Sequence, residues 1–406
     1  MIRFEDFLKH TNARLDDSQK KAVNVLNNCV VSAGAGSGKT TVLSYRFLRL
    51  VLERKARCDE ILTLTFTRKA AREMHQRIHK HLLSCIQDEE IAKQLETFSE
   101  VAISTLDSFC ATVVRSNSVA YGVPQDFVID DEKNLGTIRR VATELLDAYP
   151  QSPGAKLLSE LYTPDTLIDK VFVPLASTYY CLPNTVEEGG AERILAAVER
   201  EYERLLVQYR EILNLYASFT DKGNTVQGYK SDAQLMLSKM DGCESKEELR
   251  SLLCSEVAHR RAPGNGKAED IQTIKDTVAI YRELRSKLCM ALSIMLAQDQ
   301  LHAVMDFMQE FVGRYQREKR SSGILTFADV STLAVTMLAE DKALRSFYKK
   351  KFRYIMIDEF QDNNAQQKAM LYLLAERLDR EGDGIPLPED LQKDKLFFVG
   401  DEKQSI

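Results

Sequence analysis

Hydrophobic positions along the chain fall into two patterns. Five short apolar runs, "CVVSA" (29–33), "ILTLTF" (61–66), "VAIST" (101–105), "YIMID" (354–358) and "LFFVGD" (396–401), are rich in β-branched or aromatic residues and lack strict alternation with polar ones. Such runs predict strands buried on both faces, and most of them lead into helical periodicity. The combination predicts an α/β fold, a parallel sheet with helices on both sides. Between about 120 and 320 the pattern becomes almost wholly helical. In "AERILAAVEREYERLLVQYREILNLY" the positions Ile194, Val198, Tyr202, Leu205, Tyr209 and Ile212 step by three or four and form one apolar stripe. Turn-rich gaps are expected at "TDKGNTVQGY" (220–229) and "RRAPGNGKAED" (260–270). The simplest organisation is an α/β domain formed by residues 1–120 and 322–406, interrupted by a helical insert domain over 121–321. An insert of roughly two hundred residues is an ordinary domain size.

Length and composition agree with this division. A chain of 406 residues with 44% hydrophobic content can bury more than one core. The eight cysteines lie far apart and include no C-x-x-C pair, which points to a reduced, intracellular protein. The N-terminal "MIRFEDFLKHTNARLDD" has no apolar h-region, and no run approaches the roughly 18 apolar residues of a membrane span. A cytoplasmic location without membrane contact is therefore expected. The net charge of −5 supplies no bulk attraction to nucleic acid. Locally, Lys39 to Lys80 holds eleven basic residues against four acidic ones. Alone, such a run reads as solvated helix faces.

The chemistry concentrates in two places. "VVSAGAGSGKTTVL" follows the first run and opens a helix, and Ala33, Gly34, Ala35, Gly36, Ser37, Gly38, Lys39 and Thr40 fit the P-loop pattern except that Ala33 takes the place of its first glycine. Glycines let successive N–H groups turn towards phosphate oxygens at a helix N-terminus. Lys39 would reach the outer phosphates, the Thr40 hydroxyl would ligate Mg²⁺, and Thr41 joins them in the nucleotide-binding set. The second place is "FRYIMIDEFQD", an apolar strand ending in Asp358 and Glu359, with Gln361 and Asp362 beyond. Ligands bind at the carboxyl ends of parallel strands. There Asp358 can hold Mg²⁺ and Glu359 can accept a proton from attacking water.

"AGAGSGKT", "LTFTRKAAREMHQRI", "ISTLDSFC", "IMIDEFQD" and "FFVGDEKQSI", in this order, resemble the successive motifs of UvrD/Rep superfamily 1 DNA helicases. "STLDSFC" and the large insert are most similar to the AddA/RecB branch, whose members act in recombinational repair. The resemblance implies a RecA-like P-loop NTPase domain, ATP and Mg²⁺ as cofactors, and 3′ to 5′ tracking on single-stranded DNA. As partners it implies single-stranded and duplex DNA and a second helicase/nuclease subunit. It implies that Gln19 reads the adenine edge and that Gln404 senses the γ-phosphate. Phe66, Thr67 and Lys69 would touch single-stranded DNA, Phe66 as a stacking surface and Lys69 near phosphate. Thr105, Asp107 and Ser108 match a second DNA-facing segment, although many relatives carry histidine where Asp107 stands. Asn363 likewise replaces a common threonine, and "GILTFADV" (323–330) is similar to the stretch leading back from the insert.

In this family the segment after Gln-Ser-Ile continues into a second RecA-like domain that supplies arginines to the γ-phosphate. The chain is therefore expected to be an N-terminal fragment that binds Mg-ATP weakly, hydrolyses it very slowly and does not unwind duplex alone. If the family sheet extends beyond the last strand, "LFFVGD", this end is expected to expose apolar surface and an unpaired edge, with poor solubility as the result. Arg260, Arg261 and Lys267 are candidates for duplex contact. The alternatives are a nucleotide- and DNA-binding interaction module without turnover, and another P-loop ATPase such as a transporter component. No transporter-type signature supports the latter.

Overall fold

The structure, a computed structural model, describes residues 3–11, 15–34, 36–178, 189–255, 269–362, 364–380 and 382–401. The strands among them are β1 (Cys29–Ser32), β2 (Ile61–Thr65), β3 (Ile103–Thr105), β4 (Val128–Ile129), β5 (Ile324–Leu325), β6 (Tyr354–Ile357) and β7 (Leu396–Gly400). The five apolar runs of the sequence all become strands of one sheet, ordered β1-β7-β6-β2-β3 and parallel throughout. β4 and β5 make a separate parallel pair, tying Val128 to Ile324 where the chain returns at Gly323.

The continuous hydrophobicity of the runs has a simple cause. Successive side chains point to opposite faces of a strand, and here both faces are covered. Leu62, Leu64, Ile355, Ile357, Leu396 and Phe398 pack on one side against Phe109, Leu333 and Met370, from the helices Leu106–Asn117, Phe327–Glu340 and Ala365–Ala375. Ile61, Tyr354, Met356, Phe397 and Val399 pack on the other against Phe47, Met74 and Ile78, from Lys39–Leu52 and Arg68–Leu83. Every residue of β2, β6 and β7 is buried.

The expectation for the last strand is corrected by this topology. β7 is not an unpaired edge: Cys29 to Ser32 pair with Phe397 to Gly400 on one side, and Ile355 to Ile357 with Leu396 to Phe398 on the other. Parallel crossovers let a strand that comes last in the chain enter the middle of a sheet. On that side the edge is β1, whose residues alternate between half-buried and exposed.

The chain forms two compact units, one holding this sheet within Met1–Thr137 and Gln316–Ile406, the other made from Ile138–Thr178 and Asn184–Tyr315. The second is helical among its described residues. Its core gathers Leu205, Tyr209 and Tyr216 from the helix Gly190–Ala217, Val226 and Tyr229 from Asn224–Asp241, and Tyr281 from Glu269–Leu296. The predicted stripe is buried at Leu205 and Tyr209, while Ile194 at its beginning is exposed. The gap expected over 220–229 shrinks to the residues before Asn224, because burial of Val226 and Tyr229 carries the helix through Gly228. Arg260, Arg261 and Lys267 lie outside the described residues. Among the described residues, no single helix is long and apolar enough to cross a membrane.

At the end of the sheet where β6 and β7 begin, a cationic cluster surrounds one carboxylate. Glu376, 1% exposed, takes an ion pair from Lys349 at 3.0 Å and another from Arg345 at 3.6 Å. Lys349 also donates to the Arg380 carbonyl at 2.7 Å, and Lys395 donates to the Lys349 carbonyl at 2.8 Å. Burial, with Lys349 close by, pushes the Lys395 ammonium down to about 7. Removing one partner of a buried pair leaves its cations uncompensated, at a cost of about 3–5 kcal/mol. Glu376→Gln should therefore destabilise the sheet-containing unit by about that amount in urea unfolding. Lys395 also sets a pH dependence. Its folded pKa of about 7 lies below the ordinary 10.5, so the unfolded chain binds the proton more tightly between those values. Stability should accordingly climb as pH rises from about 7 towards 10.5. Lys395→Met should flatten that climb in parallel urea titrations.

Candidate nucleotide-binding site

The loop that follows β1 is built around its own backbone. The Ala33 N–H donates to the Gly400 carbonyl of β7 at 2.9 Å, continuing the strand pairing by one residue. This extended role needs no positive φ, which explains why alanine is tolerated where the P-loop pattern has glycine. The chain then folds over Gly34, whose carbonyl accepts from the Ser37 N–H at 3.2 Å and the Ser37 hydroxyl at 2.7 Å. Gly36 (φ 76°) and Gly38 (φ 83°) occupy the left-handed region that side chains disfavour. Gly38 is the N-cap of the helix Lys39–Leu52 and offers no side-chain acceptor to its first turn. The N–H groups of that turn and the positive end of the helix dipole are thus presented to an anion. Ala35 lies outside the described residues.

Opposite the loop, β6 ends at Ile357, and the Asp358 N–H donates to the Leu64 carbonyl at 2.9 Å, holding the acidic turn to the sheet. Lys39 Nζ meets Glu359 Oε2 at 2.8 Å, and Thr40 Oγ1 lies 3.4 Å from Asp358 Oδ2. The two sequence-predicted centres therefore converge across a separation of 320 positions. Glu359 adopts φ 54°, an unfavourable left-handed conformation for a residue with a side chain. It is held there by Lys39 and by Gln361, whose Nε2 donates to Glu359 Oε2 at 2.8 Å. Gln361 is anchored in turn, since its Oε1 accepts the Asp401 N–H at 2.9 Å. Gly400 makes room for this arrangement, because a Cβ there would sit 2.6 Å from Gln361 Oε1.

The adjacent carboxylates have different electrostatics. Burial raises the Asp358 pKa and the Glu359 charge raises it further, against the opposing pull of Lys39 and Thr40. At Glu359 burial pushes the same way, but the hydrogen bonds from Gln361 and Lys39 outweigh it and hold the carboxyl below its usual range. Among the described residues no cluster of three or more His, Cys, Asp or Glu side chains could cage a metal. One carboxylate beside one hydroxyl instead suits Mg²⁺, which is bound by one or two protein oxygens together with phosphates and water.

Gln19 lies against the same loop. It closes a capping box with Asp16 at the start of the helix Asp17–Asn24, and its Nε2 donates to the Ser37 carbonyl at 3.0 Å. Thr41 accepts from Arg77 Nη1 at 3.2 Å. Arg77 comes from the helix Arg68–Leu83, whose N-cap is Thr67, with Thr67 Oγ1 accepting the Ala70 N–H at 3.1 Å. Phe66, just past β2, is 63% exposed, and Lys69 is exposed with Glu73 at 4.0 Å. Thr105 is buried and caps the helix Leu106–Asn117, its hydroxyl 2.7 Å from that of Ser108. Asp107 faces Gln367, whose Nε2 is 3.5 Å from Asp107 Oδ1. Burial raises its pKa against that contact. Phe66, Asp107, Asp358 and Gln367 line one small cavity of about 80 Å³, which joins both predicted DNA-facing segments to the end of β6. Gln404 and Asn363 lie outside the described residues.

The basic run is less solvated than its composition suggests. Arg46 is buried 4.2 Å over the Phe397 ring and donates to the Val25 carbonyl at 2.6 Å, and burial lowers its pKa to about 10. Arg49 ties to the Val23 carbonyl and Glu53. Arg68, Lys69, Arg72 and Lys80 remain exposed on the helix that begins beside Phe66. Arg77, Gln367 and Gly400 were not singled out in the sequence. Gly400, a glycine at the end of an apolar strand before an acid, carried the one usable signal, since strand glycines mark close approach.

Comparison with known proteins places this geometry in context. The family model for the UvrD/REP helicase N-terminal domain matches residues 15–406. Over 433 aligned positions the chain is 29% identical to a Syntrophomonas wolfei protein named as one subunit of an ATP-dependent helicase/nuclease, covering 96% of this chain and 33% of that protein. It is 26% identical to the protein of the same name from Thermoanaerobacter sp. strain X514, over 96% of this chain and 35% of the relative. With the Streptococcus pneumoniae counterpart it shares 25% identity over 98% of this chain and 36% of the relative. The chain thus spans about a third of the length of these curated relatives. With the P-loop facing the acidic end of β6 and the family match running through both, this chain belongs to the UvrD/REP helicase N-terminal domain family.

Proposed function

We propose that this chain is the ATP-binding motor part of a DNA helicase or translocase of recombinational repair, tracking 3′ to 5′ on single-stranded DNA and working beside a second subunit. The observation that carries the reading is the meeting of Lys39 and Thr40 with Glu359 and Asp358 at the carboxyl end of a parallel sheet. In this reading the sheet-containing unit is a first RecA-like domain and the helical unit is its insert. The relatives are named as one subunit of a helicase/nuclease, which supports the partner.

The chain's own residues suggest how binding and chemistry are linked. Lys39 neutralises Glu359, and while it does so the carboxylate is a poor proton acceptor. A triphosphate carries more negative charge than one carboxylate and would draw Lys39 away. Glu359 would then keep the Gln361 bond, lose its counter-ion and become a stronger base for the attacking water. Mg²⁺, when bound, would neutralise charge on the outer phosphates, with Thr40 and Asp358 as its protein ligands. Gln19 would turn its amide to the adenine. Phe66 offers a stacking face to a base, Lys69 and Arg72 follow the phosphates, and Thr67, Thr105, Asp107 and Ser108 border the same track. The link through Arg77 to Thr41 gives the DNA-facing helix a direct grip on the P-loop helix.

Binding of a fluorescent ATP analogue with Mg²⁺ and of labelled oligo-dT tests this reading. The expected result is saturable binding of both, with Lys39→Ala weakening nucleotide binding about 10- to 100-fold, the worth of a charged hydrogen bond. Phe66→Ala should weaken oligo-dT by a similar factor, the worth of about 1–3 kcal/mol of base stacking. No nucleotide binding at millimolar concentration would overturn the motor reading, and binding with no hydrolysis under any DNA condition would favour the interaction module. A second prediction concerns Gly400. Gly400→Ala should displace Gln361 and cut single-turnover hydrolysis about 10- to 100-fold by misplacing Glu359. The nucleotide Kd should stay within about twofold, because the Gly400 carbonyl that holds the Ala33 N–H is backbone and survives the substitution.

A further inference from the structure

We propose that Cys254 and Cys289, in the helical unit, are a redox-modified dithiol that closes to an intramolecular disulfide when the protein meets a hydroperoxide. Cys254 lies near the end of the helix Lys246–Ser255 and Cys289 within Glu269–Leu296, with their sulfurs 3.3 Å apart. Cys254 is exposed and Cys289 half-buried. Among the described residues the other cysteines differ. Cys29 lies in β1 of the sheet-containing unit. Cys58, Cys85 and Cys110 are buried, and burial pushes Cys58 and Cys110 up to about 12. Cys243 donates to the Lys239 carbonyl.

The backbone around the pair is held in place. Arg285 Nε donates to the Leu253 carbonyl at 2.7 Å, on one side of Cys254. Arg250 Nε donates to Ser293 Oγ at 2.6 Å, one turn beyond Cys289. Leu249 and Leu253 are buried in the core of the unit and fix the helix from beneath. With both helices anchored, the two sulfurs have to close from 3.3 Å to the S–S bond length of about 2.05 Å. Arg250 and Arg285 add positive charge beside the thiols, the environment that favours thiolate chemistry.

The chemistry divides between the two residues. The exposed Cys254 thiolate attacks the hydroperoxide, the O–O bond breaks, and Cys254 becomes a sulfenic acid while the oxidant is reduced to water or an alcohol. Cys289 then attacks the Cys254 sulfur. The S–S bond forms, the S–O bond breaks, and the Cys289 proton leaves with the hydroxyl as water. Cys289 is half-buried, and burial with the neighbouring Cys254 raises its thiol to about 11, so the exposed Cys254 is the one that meets the oxidant first. The product closes the chain between residues 254 and 289 and ties the two helices together.

The test uses the full chain, reduced, freed of reductant and treated with hydrogen peroxide at a few molar equivalents. A non-reducing digest should yield a Cys254–Cys289 linked peptide as the main disulfide, with two thiols lost per chain and restored by dithiothreitol. The thermal midpoint of the oxidised protein should rise by about 5 °C and fall back on reduction, as closing a loop of this length stabilises a fold. In Cys289→Ser, dimedone should trap a sulfenic acid at Cys254. In Cys254→Ser, neither trapping nor crosslink should occur. Absence of the linked peptide, a different pairing, or trapping at Cys289 ahead of Cys254 would overturn the proposal. Neither cysteine is fully buried, and both variants should fold, which reduced melting curves matching the parent would show.

Discussion

The ion pair between Lys39 and Glu359 joins two ends of the chain that have no local reason to meet. It forms because β1 and β6 lie two positions apart in one parallel sheet with β7 between them, so both connections open on the same edge. Each neighbour is then placed by a further constraint. Thr40 reaches Asp358 because it is the second residue of the helix whose first is Lys39. Gln361 braces Glu359 because β7 delivers the Asp401 N–H to it, and Gly400 leaves space for its amide. Without the middle strand the lysine would face the wrong residue and the glutamine would have no anchor.

The site is held at a cost to the fold. Asp358 is buried beside a second carboxylate, with one lysine near both, and its raised pKa shows that the charged form is disfavoured there. Glu359 keeps a left-handed backbone that an ordinary residue avoids. Strained backbone and perturbed carboxylates gathered at one strand end are features that cluster at functional sites. The opposite end of the same sheet is also ionic but balanced differently: Glu376 there gathers Arg345 and Lys349, while Lys395 donates a hydrogen bond to the Lys349 carbonyl. The two apolar cores between these ends, built from alternate residues of the same strands, supply the stability that both polar ends draw on.

The helical unit follows other rules. Its core is rich in tyrosine, with the Tyr209 and Tyr281 rings stacked at 5.1 Å and the Tyr209 hydroxyl donating to that of Tyr281 at 3.0 Å. Buried hydroxyls that satisfy one another give specificity to a core of long helices that could otherwise slip. The paired thiols belong to this unit.

The sequence by itself determined the strands, the loop and the acids. Unbroken apolar runs are the mark of strands covered on both faces, and a glycine-rich turn before Lys-Thr has few uses other than phosphate. Local pattern was enough for these because each depends on near neighbours in the chain. It could not show that β7 enters between β1 and β6, since strand order is set by which crossover buries most surface. Nor could it show that Thr67 and Thr105 commit their hydroxyls to helix caps, that Arg46 lies beneath the sheet on Phe397, or that Gln361 rather than Lys39 alone holds Glu359 in place. Most of those facts rest on contacts between residues far apart in the chain. Those are decided only by the packed structure, because each is a competition for partners that the chain cannot settle until it has closed on itself, whereas the two threonine caps are local contacts between residues three apart.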